Sequence, residues 1–185
     1  MKILPTKGCI LLAEPFLKDE YFIRSVVLLV EYSSNEGAFG FLLNRVLDLK
    51  IKDAVDGFPV LNTNIFLGGP VQRDHLFYLH TKGNLIKDSK KIIDNLYWGG
   101  NFEILKKEIE KGTITENDIK FFAGYSGWES GQLERELQEK SWIISRATTN
   151  QIFKTDPEKM WKFFIKQMGP DYAPLINYPI DPRLN

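Results

Sequence analysis

Apolar residues gather in short runs through the first third of the chain, each bounded by turn residues. GCILLAEPF (8–16) is one such run, ending at Pro15. SVVLLVEY (25–32) is β-branched and nearly continuous, as a strand covered on both faces would be. SNEG (34–37) is turn chemistry and AFGFLLN (38–44) reads as a strand again, so 25–44 predicts a β-hairpin. LKIKDAVDGF (49–58) predicts a short helix or an irregular crossover. NIFLGGPV (64–71) reads as a strand running into Gly68-Gly69-Pro70, where two glycines permit close backbone approach and the proline fixes the exit. HLFYLHT (75–81) and KIIDNLYWGG (91–100) read as further strands.

The pattern then turns helical. In NFEILKKEIEKG (101–112), Phe102, Leu105 and Ile109 share a face, charges take the other side and Gly112 ends the helix. IKFFAGYSGW (119–128) predicts a strand and then a turn, and ESGQLERELQEK (129–140) a helix with Leu133 and Leu137 on one face. SWIISRA (141–147) predicts a strand. TDPEKMWKFFIKQMGP (155–170) predicts a helix capped by Asp156, with Pro157 in its first turn and Gly169-Pro170 as its stop. Trp161, Phe164, Ile165 and Met168 make its buried stripe. The tail (171–185) reads as packed extended chain. Strands cluster early and helices interleave late, which predicts an α+β fold: a single domain over 1–185 with a mixed, largely antiparallel sheet and flanking helices.

Length and composition agree with one globular core: 185 residues, 43% hydrophobic and 26% charged. Lys+Arg and Asp+Glu balance at 24 each, so the field that drives phosphate-backbone binding is absent. A local basic patch would come from Lys82, Lys87, Lys90 and Lys91, diluted by Asp88, and a solvated loop is the reading these lysines favour. The one cysteine, Cys9, lies in an apolar run and reads as a buried thiol. With no leader-like apolar segment and no run of about 18 apolar residues, the sequence predicts a cytoplasmic protein without membrane attachment.

GYSGW (124–128) raises the question of chemistry. It sits between a predicted strand and a predicted helix, the context of a nucleophile elbow. The G-x-S-x-G pattern is not met, because Trp128 stands where the last glycine belongs and would crowd a strained turn. Ser126 has another use: Ser126-Gly127-Trp128-Glu129 has the form S-x-x-E, which predicts a capping box. His75 and His80 lie five positions apart on one predicted strand, so they point to opposite faces and read as core-edge or surface residues. Glu129, Glu134, Glu136 and Glu139 read as a solvated helix face paired with Arg135 and Lys140. A helix N-terminus at 127–129 would offer free amides, Gly124 and Gly127 close approach, Tyr125 and Trp128 flat surfaces, and Gln132 an amide one turn on. That set suits an anionic or planar group, and it also suits a tight corner packed by two aromatics. No fingerprint of a nucleotide, a metal or another cofactor is present, and the expected cofactor is none.

GCILLAEPFLKDEYFIRSVVLLVEY, GAFGFLLNR, FLGGPV and FFAGYSGWESGQLERELQEKSWI, in this order, resemble the YqgE/AlgH family of small bacterial cytosolic proteins, from about Gly8 to Gly169. The resemblance implies a single α+β domain and no established reaction. The AlgH branch carries the label of a transcriptional regulator, although no helix-turn-helix pattern accompanies it here. The family often has Ala at the position of Ser126, and often a proline after Asn-Arg where this chain reads NRVLDLK. The motif residues carried over are Asn44, Gly68, Gly69, Pro70, Gly124, Tyr125, Gly127, Trp128, Gly131, Gln132 and Leu133. They admit an architectural reading, with Asn44 satisfying backbone groups at a strand end. They also admit a functional one, in which the turn at 68–70 and the loop at 124–128 flank a cleft with Asn44 and Gln132 as its polar groups. The class expected is a binding or regulatory module for a small ligand or a protein partner. The alternatives are a hydrolase using Ser126 or His80 and a direct nucleic-acid regulator.

Overall fold

The computed structural model describes residues 4–17 and 19–179. The chain runs through strands β1 (Cys9–Ala13), β2 (Val26–Ser33), β3 (Gly37–Leu42) and β4 (Val46–Lys50), then helix α1 (Ile51–Ala54). Strands β5 (Asn64–Leu67), β6 (Val71–His80), β7 (Lys90–Ile93) and β8 (Leu96–Trp98) precede helix α2 (Phe102–Glu110). Strand β9 (Ile119–Trp128), helix α3 (Gln132–Gln138), strand β10 (Trp142–Arg146) and helices α4 (Thr149–Lys154) and α5 (Pro157–Gln167) complete the domain, with a 3₁₀ turn at Ala173–Asn177.

The sheet has the order β10-β1-β2-β3-β9-β6-β8-β7, with antiparallel neighbours throughout. The parallel pair is β5 with β9, and β4 pairs with β5. The fold is α+β, with a mixed and largely antiparallel sheet. β9 organises it. Its first half pairs with β5 through Phe121–Ala123, its last three residues pair with β3, and β6 runs along its other edge.

Alternation along β1 and β2 builds two cores at once. Ile10, Leu12, Val26, Leu28 and Val30 face α5, which contributes Met160, Trp161, Phe164 and Ile165. Cys9, Leu11, Ala13, Val27 and Leu29 face the opposite side, toward Trp128, Leu133 and Trp142. Each Val, Leu, Ile, Phe or Met side chain among these, fully buried, stabilises the fold by about 1.5–3 kcal/mol. A third cluster packs Ile51, Phe58 and Leu61 with Leu105 and Ile109 of α2 over Tyr78 and Phe121. Cys9 is buried, with its thiol 3.0 Å from the Thr6 hydroxyl.

Several local expectations change. The helix predicted from 129 begins at Gln132, because Gly131 adopts a left-handed φ of +72° ahead of it. The 91–100 segment folds into two short strands, β7 and β8, with Ile93 opposite Leu96 and Asn95 at φ +57° in the turn. The strand expected at 75–81 begins at Val71. The sequence reading missed β4, an exposed edge strand, and α4, which carries a full Thr148/Gln151 capping box. The tail is helical over Ala173–Asn177 rather than extended, and 180–185 lies outside the described residues. The hairpin, the short helix after residue 50, α2, and α5 with Asp156 as its cap are as expected, and Asn101 caps α2 by accepting from the Ile104 amide.

Candidate functional site

The GYSGW stretch is strand to its end: β9 continues through Trp128, and the turn follows at 129–131. Gly124 interrupts the alternation. At φ +70° it inserts an irregularity opposite β6, where the register shifts between Val71 and Leu76. Phe122 and Tyr125, three residues apart, therefore both join the core cluster that contains Phe41, while Trp128 joins the cluster on the other face.

The GGP turn packs directly on this strand. The Gly68 amide donates to the Ala123 carbonyl at 2.8 Å, and the Gly68 carbonyl accepts from the Leu42 amide at 2.9 Å and the Ser126 hydroxyl at 3.0 Å. A Cβ at Gly68 would collide with the Gly124 carbonyl, and one at Gly69 with the backbone of Tyr125. The 68–70 turn and β9 thus touch backbone to backbone, with no cleft between them. Ser126 is fully buried and is not a helix cap: no capping box forms with Glu129, because the strand has not yet ended.

Asn44 takes the architectural part. Its side-chain oxygen accepts from the Val26 amide at 2.9 Å and its nitrogen donates to the Arg24 carbonyl at 3.0 Å, tying the end of the hairpin to the start of β2. Trp128 is 6% exposed and anchors a polar knot. One Glu136 oxygen accepts from the Trp128 indole at 2.8 Å and the Trp142 indole at 2.7 Å, and the other from the Gln132 side chain at 2.9 Å. The two indoles meet edge to face at 5.8 Å. Gln132 also accepts from the Glu129 amide at 3.0 Å, so its carboxamide is committed on both sides. Glu134 accepts from the Tyr32 hydroxyl at 2.6 Å, and this hydrogen bond, with burial, pushes the phenol up to about 12. Glu134 and Glu136 thus hold aromatic donors rather than forming a solvated face.

An open groove of about 990 Å³ lies beside this knot. Phe39, Phe77 and Tyr125 line one part, with Tyr125 edge-on to Phe39 at 5.6 Å and to Phe77 at 5.7 Å. Tyr32, Trp128 and Gln132 line another, and Glu31, Glu36 and Glu129 are the lining carboxylates. Gly127 is exposed within it, and a Cβ there would come to 3.1 Å from the Tyr125 ring, so the glycine leaves the ring its place. Of the residues singled out from the sequence, Tyr125, Gly127, Trp128 and Gln132 meet in this groove. Asn44, Gly68, Gly69, Pro70 and Gly124 do not line it and instead hold the backbone beneath. Phe39, Phe77, Glu31 and Glu36 went unnoticed, since strand pairing brings them in from residues 31–39 and 71–77, and Glu129 read only as a capping or solvated carboxylate.

The remaining candidates lie elsewhere. His80 is fully buried and His75 exposed, on opposite faces of β6. The His80 ring donates from Nε2 to the Gly99 carbonyl at 3.1 Å and accepts at Nδ1 from the Lys82 amide at 3.2 Å. Burial lowers its pKa to about 4. His80 pairs with Ile119, seven positions along β9 from Ser126, or about 23 Å at strand rise, so the two form no catalytic pair. The lysines at 82–91 are dispersed: Lys82 pairs with Asp118 at 3.2 Å, Lys91 with Asp94 at 2.9 Å, and Lys90 lies over Trp98. Among the described residues no three His, Cys, Asp or Glu side chains gather as metal ligands, and no helix is long and apolar enough to cross a membrane.

The chain as a whole is similar to known proteins. A family model described as AlgH-like matches residues 10–173. A UPF0301 protein of Cytophaga hutchinsonii is 49% identical over 97% of this chain and 99% of its own length. One from Parabacteroides distasonis is 45% identical over 99% and 93%. The solution structure of the AlgH protein of Pseudomonas aeruginosa superposes with a TM-score of 0.75 at 29% identity, covering 97% of this chain and 98% of that one. A Corynebacterium diphtheriae crystal structure shares the fold with a TM-score of 0.81 at 20% identity, covering 96% and 95%. The matched span takes in the GGP turn, the Gly124 irregularity and the indole knot alike, and this chain belongs to the AlgH-like family.

Proposed function

We propose that the protein is a non-catalytic binding module, acting in the cytoplasm as a regulator through the groove at Tyr125. The observation that carries this reading is the meeting of Tyr125, Gly127, Trp128 and Gln132 with Phe39 and Phe77 in one open cavity of about 990 Å³. That volume lies at the upper end of the range for ligand sites, and a few polar groups around an aromatic floor are their usual composition. Half-buried aromatic rings that a sequence motif keeps at an open surface hold apolar area that an occupant would remove from water.

A thermal-shift screen of metabolites, peptides and oligonucleotides tests the reading. A saturable rise in melting temperature for the wild type, lost in Tyr125→Ala, supports it. An interaction that survives Tyr125→Ala unchanged in a folded variant overturns it. Trp128→Ala is the poorer variant, because that indole is also a structural anchor. The hydrolase reading lacks a supporting geometry, with Ser126 buried against Gly68 and His80 far along the strand.

A further inference from the structure

The groove's occupant has a charge and a shape. Resting on the reading of the groove as a binding site, we infer that it takes a basic segment of a partner polypeptide, with a Lys or Arg side chain laid across the aromatic rings. None of the lining residues is Lys, Arg or His, while Glu31, Glu36 and Glu129 all face it. Glu36 and Glu129 are exposed and make no ion pair among the described residues. Glu31 already holds an ammonium: the Lys7 amine lies 3.3 Å from both of its oxygens. Phe39, Phe77 and Tyr125 supply aromatic surface, whose ring faces attract a cation and whose apolar area covers its stem. Anionic ligands meet the opposite field, and the helix N-terminus expected at 127–129 to receive them does not exist there.

The shape favours a chain over a small amine. Phe39 and Tyr125 pack on the core of one sheet face, whereas Tyr32 and Trp128 pack on the core of the other, so the groove bends around the end of the β2–β3 hairpin. An occupant that touches both parts is extended and turns with the surface, as a peptide segment does. The carboxylates belong to β2, to the hairpin turn and to the turn after β9, and so meet successive side chains.

The test is a titration of the full chain with an N-acetylated, C-amidated hexapeptide carrying two arginines. The controls are its norleucine and glutamate counterparts and spermidine. Saturable binding of the arginine peptide is expected, weakening roughly ten-fold or more as salt rises from low to physiological and above. Glu36→Gln/Glu129→Gln, which alters two exposed carboxylates, is expected to weaken it by about ten-fold with the melting temperature unchanged. Equal binding of the norleucine or glutamate peptide overturns the inference, as does binding of spermidine without the arginine peptide. A neutral or anionic ligand lost in Tyr125→Ala also overturns it while preserving the groove reading. A ligand indifferent to Tyr125→Ala overturns both.

Discussion

Trp128 and Tyr125 stand three residues apart on the same strand, and their surroundings are opposite. The Trp128 ring is closed in on the core, its N–H reaches Glu136 at 2.8 Å, and the same carboxylate collects Trp142 and Gln132. Tyr125 is half buried, leans on two phenylalanines, and its hydroxyl has no partner among the described residues. A buried aromatic donor is stabilising when its polar atom is satisfied, which is the condition of a structural residue. An aromatic kept at a groove with its polar end free is placed where an occupant could complete it. One motif holds both kinds, so membership of the motif alone does not tell site from scaffold; the partners of each side chain do.

The largest effect expected is on the closed side. Trp128→Ala should destabilise the fold by about 3–5 kcal/mol in denaturant unfolding, through lost packing and the loss of one of the three donors to Glu136. Glu136→Gln should come next, at about 1–3 kcal/mol, because a carboxamide cannot accept from both indoles and from Gln132 at once. Tyr125→Ala should cost less than Trp128→Ala, about 1–2 kcal/mol, and yet remove ligand binding. If it unfolds the protein as readily as the tryptophan variant does, the division between the two regions fails. Ser126→Ala should cost only about 0.5–1.5 kcal/mol, since the Gly68 carbonyl keeps its bond from Leu42.

The smallest signal is a titration at the border of the two regions. Tyr32 lines the groove and donates to Glu134 of α3. Its pKa is raised from 10.0 to about 12. Its contribution to stability is therefore complete below pH 10 and lost as the pH climbs through about 12, because the unfolded chain gives up this proton first. Ultraviolet difference titration should show two late phenols, Tyr32 and Tyr78, the second raised to about 12 by burial, and Glu134→Gln should bring down the Tyr32 phenol alone. An unchanged Tyr32 phenol in that variant would detach this residue from α3.

Parts of this arrangement are legible in the residues. The hairpin over 26–42 announces itself through a β-branched run, a turn and a second run, and α5 through Asp156, Pro157 and its apolar stripe. Thr148-x-x-Gln151 spells out the cap of α4 and is readable in the same way. Ser126 misleads for a physical reason: S-x-x-E describes a local cap, but a long-range bond to Gly68 claims the hydroxyl. Glu136 looks like one more charge on a helix, and nothing periodic shows that indoles from two different strands converge on it. The groove is harder still. Phe39 and Phe77 reach Tyr125 only through pairing across β3, β9 and β6, and the parity change at Gly124 decides which face they share.

The central position of β9 has a consequence for how the protein is made. Its neighbours β3, β5 and β6 all precede it, so a growing chain exposes their edges until residue 128 has emerged. At ordinary elongation rates that delay is on the order of ten seconds. β1 waits longer, since the strand on its far side is β10 at Trp142–Arg146. Synthesis therefore passes through an interval in which the apolar strands of the first third stand bare beside one another's edges. Nascent chains halted before β9 should be sticky, protease-sensitive clients of ribosome-associated chaperones, and extension through β9 and β10 should make them compact.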